Sequence, residues 1–182
     1  MALPPLATTA QLAAWMQTTE DALPDGASLV LTVASDIVRK EARQHFTRGT
    51  STVTLYPSFD GKYYVSMLPQ RPVVSVATVV ADGVPLADSD WKLRRDALRF
   101  PRYVDEVKVL FTHGYSETPG DVLGVLLTAC ARVLNNPNDL RQETAGSLSV
   151  TYAAETIGAS LSEKDKDLLR RYRRGVAVVT TE

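Results

Sequence analysis

The stretch Phe111–Leu123, "FTHGYSETPGDVL", is either an active-site loop or the point where a strand gives way to a helix. It holds one of the two histidines, a tyrosine, a serine and two carboxylates. Upstream, Val107, Val109 and Phe111 alternate with Lys108, Leu110 and Thr112, so a strand runs up to His113. Gly114 lets the chain turn. Downstream, Thr118-Pro119-Gly120-Asp121 predicts a helix start, with Thr118 as N-cap, Pro119 at the first helical position and Asp121 at the third. The following helix carries Val122, Leu123, Val125, Leu126, Leu127, Ala129, Cys130, Val133 and Leu134. That is more than one apolar stripe, as expected of a helix buried on two sides.

Catalysis by His113 requires a nucleophile or substrate within hydrogen-bond reach and a carboxylate to orient the ring. Ser116 lacks the G-x-S-x-G elbow that exposes a nucleophile. Glu117 and Asp121 are accounted for as turn and helix-start residues. His113 therefore reads as a structural residue at a strand–helix junction, and the chain as no enzyme. A small hydrolase using His113 and Ser116 is the rival.

Before the junction the chain changes period twice. "LATTAQLAAWMQ" predicts a helix with a Thr8–Gln11 capping box and Leu12, Trp15 and Met16 on one face. After the break at Leu23–Gly26 a longer helix is expected, about Ala27 to His45. Its stripe is Val30, Val33, Ala34, Ile37, Val38 and Ala42, with Lys40, Arg43 and Gln44 opposite. From Thr50 the period becomes two. "STVTLYP" and "KYYVSML" flank the turn Asp60-Gly61, "PVVSVATVVADGVPL" is a hairpin on Asp82-Gly83, and "DWKLRRDALRF" is a second hairpin. Beyond the central helix come "NNPN", a loop "DLRQETAG" and a strand "SLSVTYA". A last helix is expected from near Ser160 to Gly175, with Glu163 completing a capping box. The fold class is α+β: a small bundle of about four helices with an inserted antiparallel β region, and a C-terminal helix plus extended tail. The chain divides into N-terminal helices (1–49), the β insertion (50–113), the central helix and following strand (114–160), and a C-terminal helix and tail (161–182).

Composition narrows the function classes. The 182 residues are 45% hydrophobic and 23% charged, as in a folded globular protein. With 20 basic and 21 acidic residues there is no global basic field for nucleic acid. Residues 161–182 hold six Lys/Arg against four Asp/Glu, leaving 14 against 17 for the rest. The single Cys130 excludes an internal disulfide, and two histidines cannot make a multi-His metal site unaided. Cys130 lies mid-helix among apolar residues, where cysteine behaves as a small hydrophobe. No Walker loop or G-x-G-x-x-G supports a nucleotide, so no cofactor is expected. No run approaches the roughly 18 apolar residues of a membrane span, and the N-terminus lacks a signal-peptide pattern. These features predict a soluble protein made in a reducing cytoplasm.

"DKDLLRRYRRG" is the most distinctive charge pattern, with four arginines around Tyr172. It reads as a solvated helix end, as a docking element rich in hot-spot residues, or as a nucleic-acid arm diluted by its aspartates. The final "VAVVTTE" suits a strand added to a sheet edge, in this chain or a neighbour.

The order helix, helix, β insertion, "THGY" strand end, "P-x-D-V" helix start and "ETAGSLSVTYA" strand resembles the head–tail connector (adaptor) proteins of long-tailed bacteriophages. So do "LPQRPVVSVATVVADGVPL" and the closing "L-S-E-x-D-x-x-L-L-x-x-Y-R-R". The resemblance spans about Thr8 to Val179. It implies a structural virion protein of the neck, synthesised in the bacterial host cytoplasm, that forms a homo-oligomeric ring, usually of twelve, below the portal protein. Such a ring extends the channel for genomic DNA, without sequence-specific binding, and presents a surface to a stopper or tail-side neck protein. A tail-completion or stopper protein is the alternative within the same assembly. The resemblance further implies that Leu168, Leu169, Arg170, Arg171, Tyr172, Arg173 and Arg174 dock onto the portal.

Overall fold

The computed structural model describes residues 3–136, 142–145, 148–151 and 160–173. Two compact units are present: a helical unit from Met1–Gln44 with Thr118–Glu182, and a sheet unit from His45–Glu117. Four α-helices and antiparallel sheets among the described residues make the fold α+β, as the sequence pattern requires. The tail "VAVVTTE" lies outside the described residues.

In the sheet unit, strands β1 (Gly49–Leu55), β4 (Val73–Ala81), β5 (Val84–Pro85) and β8 (Val107–His113) form one sheet in the order β1-β8-β4-β5. Strands β2 (Ser58–Phe59), β3 (Tyr64–Met67), β6 (Lys92–Arg94) and β7 (Ala97–Phe100) form a second, in the order β2-β3-β7-β6. The alternation read in β8 is realised: Val107, Val109, Phe111 and His113 are buried, while Lys108 is exposed. Val107, Val109 and Phe111 meet Leu98 and Phe100 of β7 with Leu68, Val79 and Val104 in one apolar cluster that joins the two sheets. Asp82-Gly83 is the two-residue hairpin turn expected, with φ of 50° and 81° and Ala81 paired with Val84. Positive φ at both turn residues is what a type I′ turn demands, and glycine meets it without strain. Asp82 Oδ1 also accepts the N–H groups of Asp105 (3.2 Å) and Glu106 (2.9 Å).

In the helical unit, α1 (Thr9–Trp15) starts on the predicted capping box: Gln11 N–H donates to Thr8 Oγ1 (3.1 Å), and Thr8 N–H donates to Gln11 Oε1 (2.9 Å). Its inward face is Leu12 and Ala13, whereas Trp15, expected inside, is half exposed. Helix α2 (Ala27–Ala42) ends three residues before the expected His45, with Arg43 left-handed at its C-cap. Its buried stripe is Ala27, Leu31, Ala34, Ser35, Val38, Arg39 and Ala42. This is rotated from the expected stripe, leaving Val33 exposed. The rotation arises because buried polar groups are satisfied there. Ser35 Oγ donates to Leu31 O (2.6 Å) and accepts Leu6 N–H (3.0 Å), and the Arg39 guanidinium donates to Pro4 O. Gln44, assigned to the polar side, is buried beyond the helix end.

Helix α3 (Gly120–Asn135) buries Val122, Val125, Leu126, Leu127, Ala129 and Cys130 and packs on α2. Its N-cap is Pro119, one residue later than expected, without a side-chain cap. Thr118 Oγ1 instead donates to Leu6 O (2.7 Å). Strands β9 (Gln142–Ala145) and β10 (Leu148–Thr151) pair antiparallel, so the segment expected as the loop "DLRQETAG" contains a strand. "QETA" has no apolar alternation, and only the pairing partner reveals it. Helix α4 (Glu163–Arg170) contacts α2 and α3. Its capping box is Ser162 with Asp165, displaced from the expected Ser160 with Glu163.

Candidate functional site

Helix α4 is short, and its fixed position rests on the groups at its two ends. At the start, Asp165 Oδ2 accepts both Ser162 N–H (3.0 Å) and Arg132 Nη2 of α3 (2.8 Å). Burial by itself raises the Asp165 pKa, but the donors Arg132 and Ser162 outweigh it and hold the carboxyl below its ordinary 3.8. At the end, Arg171 Nη2 pairs with Asp121 Oδ2, and the Tyr172 hydroxyl donates to Asp121 Oδ1 (2.8 Å). Arg171 also lies over the Tyr172 ring, 5.0 Å from its centroid. Arg173 pairs with the Glu41 carboxylate and donates from Nε to the Glu41 carbonyl (2.7 Å). Only the first target sits where a helix dipole favours an anion; at the second, the dipole favours the Arg173 cation and not the Glu41 carboxylate. Asp121 occupies the first turn of α3, and Glu41 lies in the last turn of α2, whose carbonyls lack intrahelical donors.

The residues of the docking expectation therefore part company. Leu169 is fully buried and belongs to the helical core. Arg171, Tyr172 and Arg173 tie α4 to α3 and α2. Leu168, at 41% exposure, and Arg170 face outward, Arg170 in a local pair with Asp167 (2.9 Å). Arg174 lies outside the described residues. Sequence reasoning missed Arg132, Asp165, Glu41 and the role of Asp121. Asp165 alone carries a short-range mark, as the acidic end of the Ser162–Asp165 capping box; the tertiary partners are 33 to 132 residues apart in the chain.

The stretch around His113 is a junction in the sheet unit. Gly114 N–H donates to Pro72 O (3.0 Å), Tyr115 N–H donates to Phe46 O (2.8 Å), and Thr47 bridges Tyr115 in parallel. Gly114 has φ 90°, and a Cβ there would stand 2.3 Å from Thr47 O. His113, only 2% exposed, places Nε2 at 2.8 Å from Ser51 Oγ, while Nδ1 has no hydrogen-bond partner among the described residues. Burial, and then neighbouring His45, lower its pKa below 6.5, so the ring is neutral. Its hydroxyl partner is a β1 residue, no carboxylate orients Nδ1 among the described residues, and Ser116 and Glu117 are exposed on the following turn. Those features do not make a nucleophile–base pair open to substrate. The Cys130 thiol is buried, and burial pushes its pKa up to about 11. Among the described residues no group of three His, Cys, Asp or Glu could hold a metal ion, and no helix is long and apolar enough to cross a membrane.

No protein-family model and no curated protein matches this sequence. Among solved structures, a chain of the virion of a native gene transfer agent (GTA) particle superposes with a TM-score of 0.61 at 18% identity, over 99% of this chain and 96% of that one. The two chains share a fold. A chain from the neck of an empty GTA particle computed with C6 symmetry gives 0.58 at 15% identity, over 96% of this chain and 93% of that one. A chain from the neck of a native GTA particle computed with C12 symmetry gives 0.56 at 18% identity, over 99% of both chains. The likeness thus spans both the helical and the sheet residues and extends through the length of each protein.

Proposed function

We propose that this protein is a structural neck component: a head-to-tail adaptor that assembles as a ring, extends the DNA channel and attaches the tail. The observation that carries the reading is end-to-end fold similarity to two chains from a particle neck, one in a reconstruction with C12 symmetry and one with C6 symmetry. It coincides with the role implied by the motif order in the sequence. The mechanism is assembly and not catalysis. In a closed ring each subunit offers one surface to a different surface of the next, so a lone chain should leave apolar residues uncovered. On α2, Leu29 and Val33 stand one helical turn apart at 66% and 46% exposure, and Trp15 of α1 is also exposed. Tyr56, Phe59 and Tyr103 do the same in the sheet unit. The portal-docking surface is the outward face of α4, Leu168 and Arg170, presented by a helix whose other side is tied down.

Electron microscopy of the purified chain mixed with DNA-filled, portal-bearing heads that lack tails tests this directly. Ring density against the portal is the expected result, and its symmetry gives the subunit number. Bare heads beside folded protein would overturn the adaptor reading, and density seen only after a separate adaptor is supplied would reassign the chain as a stopper.

A further inference from the structure

The second sheet carries a feature that ring assembly does not explain. A cleft of about 640 Å³ runs beside β6, lined by that whole strand, Lys92 to Arg94, and by Lys62, Tyr63, Trp91 and Arg99. Four of these residues are cationic, and none of the described residues lining the cleft is acidic. The neighbouring carboxylate of Asp60, within electrostatic reach of Arg99, accepts the N–H groups of Tyr63 and Lys62 on Oδ1. Two N–H donors in the wall, Trp91 Nε1 and Arg99 Nε, are buried without an acceptor among the described residues. Orphaned donors in a native wall call for an explanation, and an acceptor brought by a ligand is one. Among the described residues strand β6 is also an edge: it pairs with β7 on one side only. The three successive residues Lys92–Arg94 form the β6 border of the cleft, and the register sets Arg99 of β7 beside Lys92.

We propose that this cleft binds an acidic, extended segment of a partner protein, which adds a strand to the open edge of β6 and places carboxylates among Lys62, Lys92, Arg94 and Arg99. Backbone pairing supplies the register, and the cations supply selection. Like charge on β6 opposes pairing between two copies of this edge, while the same charges attract an acidic strand. Nucleic acid fits less well. Single-stranded binding relies on free aromatic faces, but Trp91 packs against the apolar cluster. The Tyr63 ring has Lys62 Nζ at 5.4 Å and Arg99 Cζ at 5.7 Å from its centroid. A duplex presents its phosphates on a convex surface, which an inlet along a strand edge does not match.

The test uses the full chain with Trp15→Phe, which leaves Trp91 as its only indole. A heptapeptide of alternating Glu and Val is titrated against it, beside the same peptide with Gln for Glu and a short oligothymidylate. The expected result is saturable change in Trp91 emission with the acidic peptide alone, weakening as salt rises. Reversing the exposed charges with Lys92→Glu and Arg94→Glu should raise Kd by about tenfold or more without changing Tm. Lys62→Glu, outside the strand, provides a second variant should the double reversal not fold. Absence of saturation, binding unchanged in the folded reversal variants, or tighter binding of oligothymidylate through the same residues would each overturn the proposal.

Discussion

At the scale of single residues, Gly114 and His113 hold the end of β8 in tight contact with the chain around Thr47 and Ser51. The chain passes so close to Thr47 that a Cβ at position 114 meets backbone that cannot move aside. Gly114→Ala should therefore cost about 3 kcal/mol, from left-handed strain plus displacement, measured by urea unfolding. His113 is held neutral inside the fold, with a pKa below that of the unfolded chain. The unfolded state then binds more protons in the window beneath 6.5, so this contribution to stability is complete above that pH. It is lost as pH falls through the lower, folded value. Urea midpoints from pH 7 to 5 should decline, and His113→Gln, which keeps a hydrogen-bonding group toward Ser51, should flatten part of that decline. A hydrolase using His113 would in addition lose a measurable activity in this variant.

At the scale of elements, the question is what fixes α4. Its eight residues are too few to hold a helix in water by themselves. Burial of Leu169, worth about 1.5–3 kcal/mol, and the polar ties at either end make up the difference. Tyr172→Phe removes one hydroxyl donor from Asp121 and should destabilise the protein by about 1 kcal/mol. Combined with Asp121→Asn the effects should be clearly less than additive in thermal unfolding, since both variants break one network. Additive effects would mean that Tyr172 and Asp121 act separately. The same geometry decides how docking must be probed. Leu168→Asp or Arg170→Glu tests the outward face, whereas a change at Tyr172 mixes docking with the attachment of the helix.

At the scale of the whole molecule, ring assembly makes a claim about the exposed face of α2. Leu29→Asp with Val33→Asp should abolish the ring in electron micrographs and leave the monomer's Tm within about 1 °C, because neither side chain contributes to the core. A ring that survives both changes would place the subunit interface elsewhere. The sequence by itself determined the α+β class, the Thr8–Gln11 cap, both predicted hairpins and the alternation in β8. These depend on periodicity and turn chemistry, which act over a few neighbouring residues and so leave a local trace. It misplaced the stripe of α2, the caps of α3 and α4, and the strand in "QETA". It also could not sort Leu168 and Arg170 from Leu169, Arg171, Tyr172 and Arg173. Only the tertiary structure decided those. A buried polar group takes whichever partner the fold brings to it, and a carboxylate such as Asp121 looks like a helix-start residue until Arg171 and Tyr172 arrive from fifty residues away.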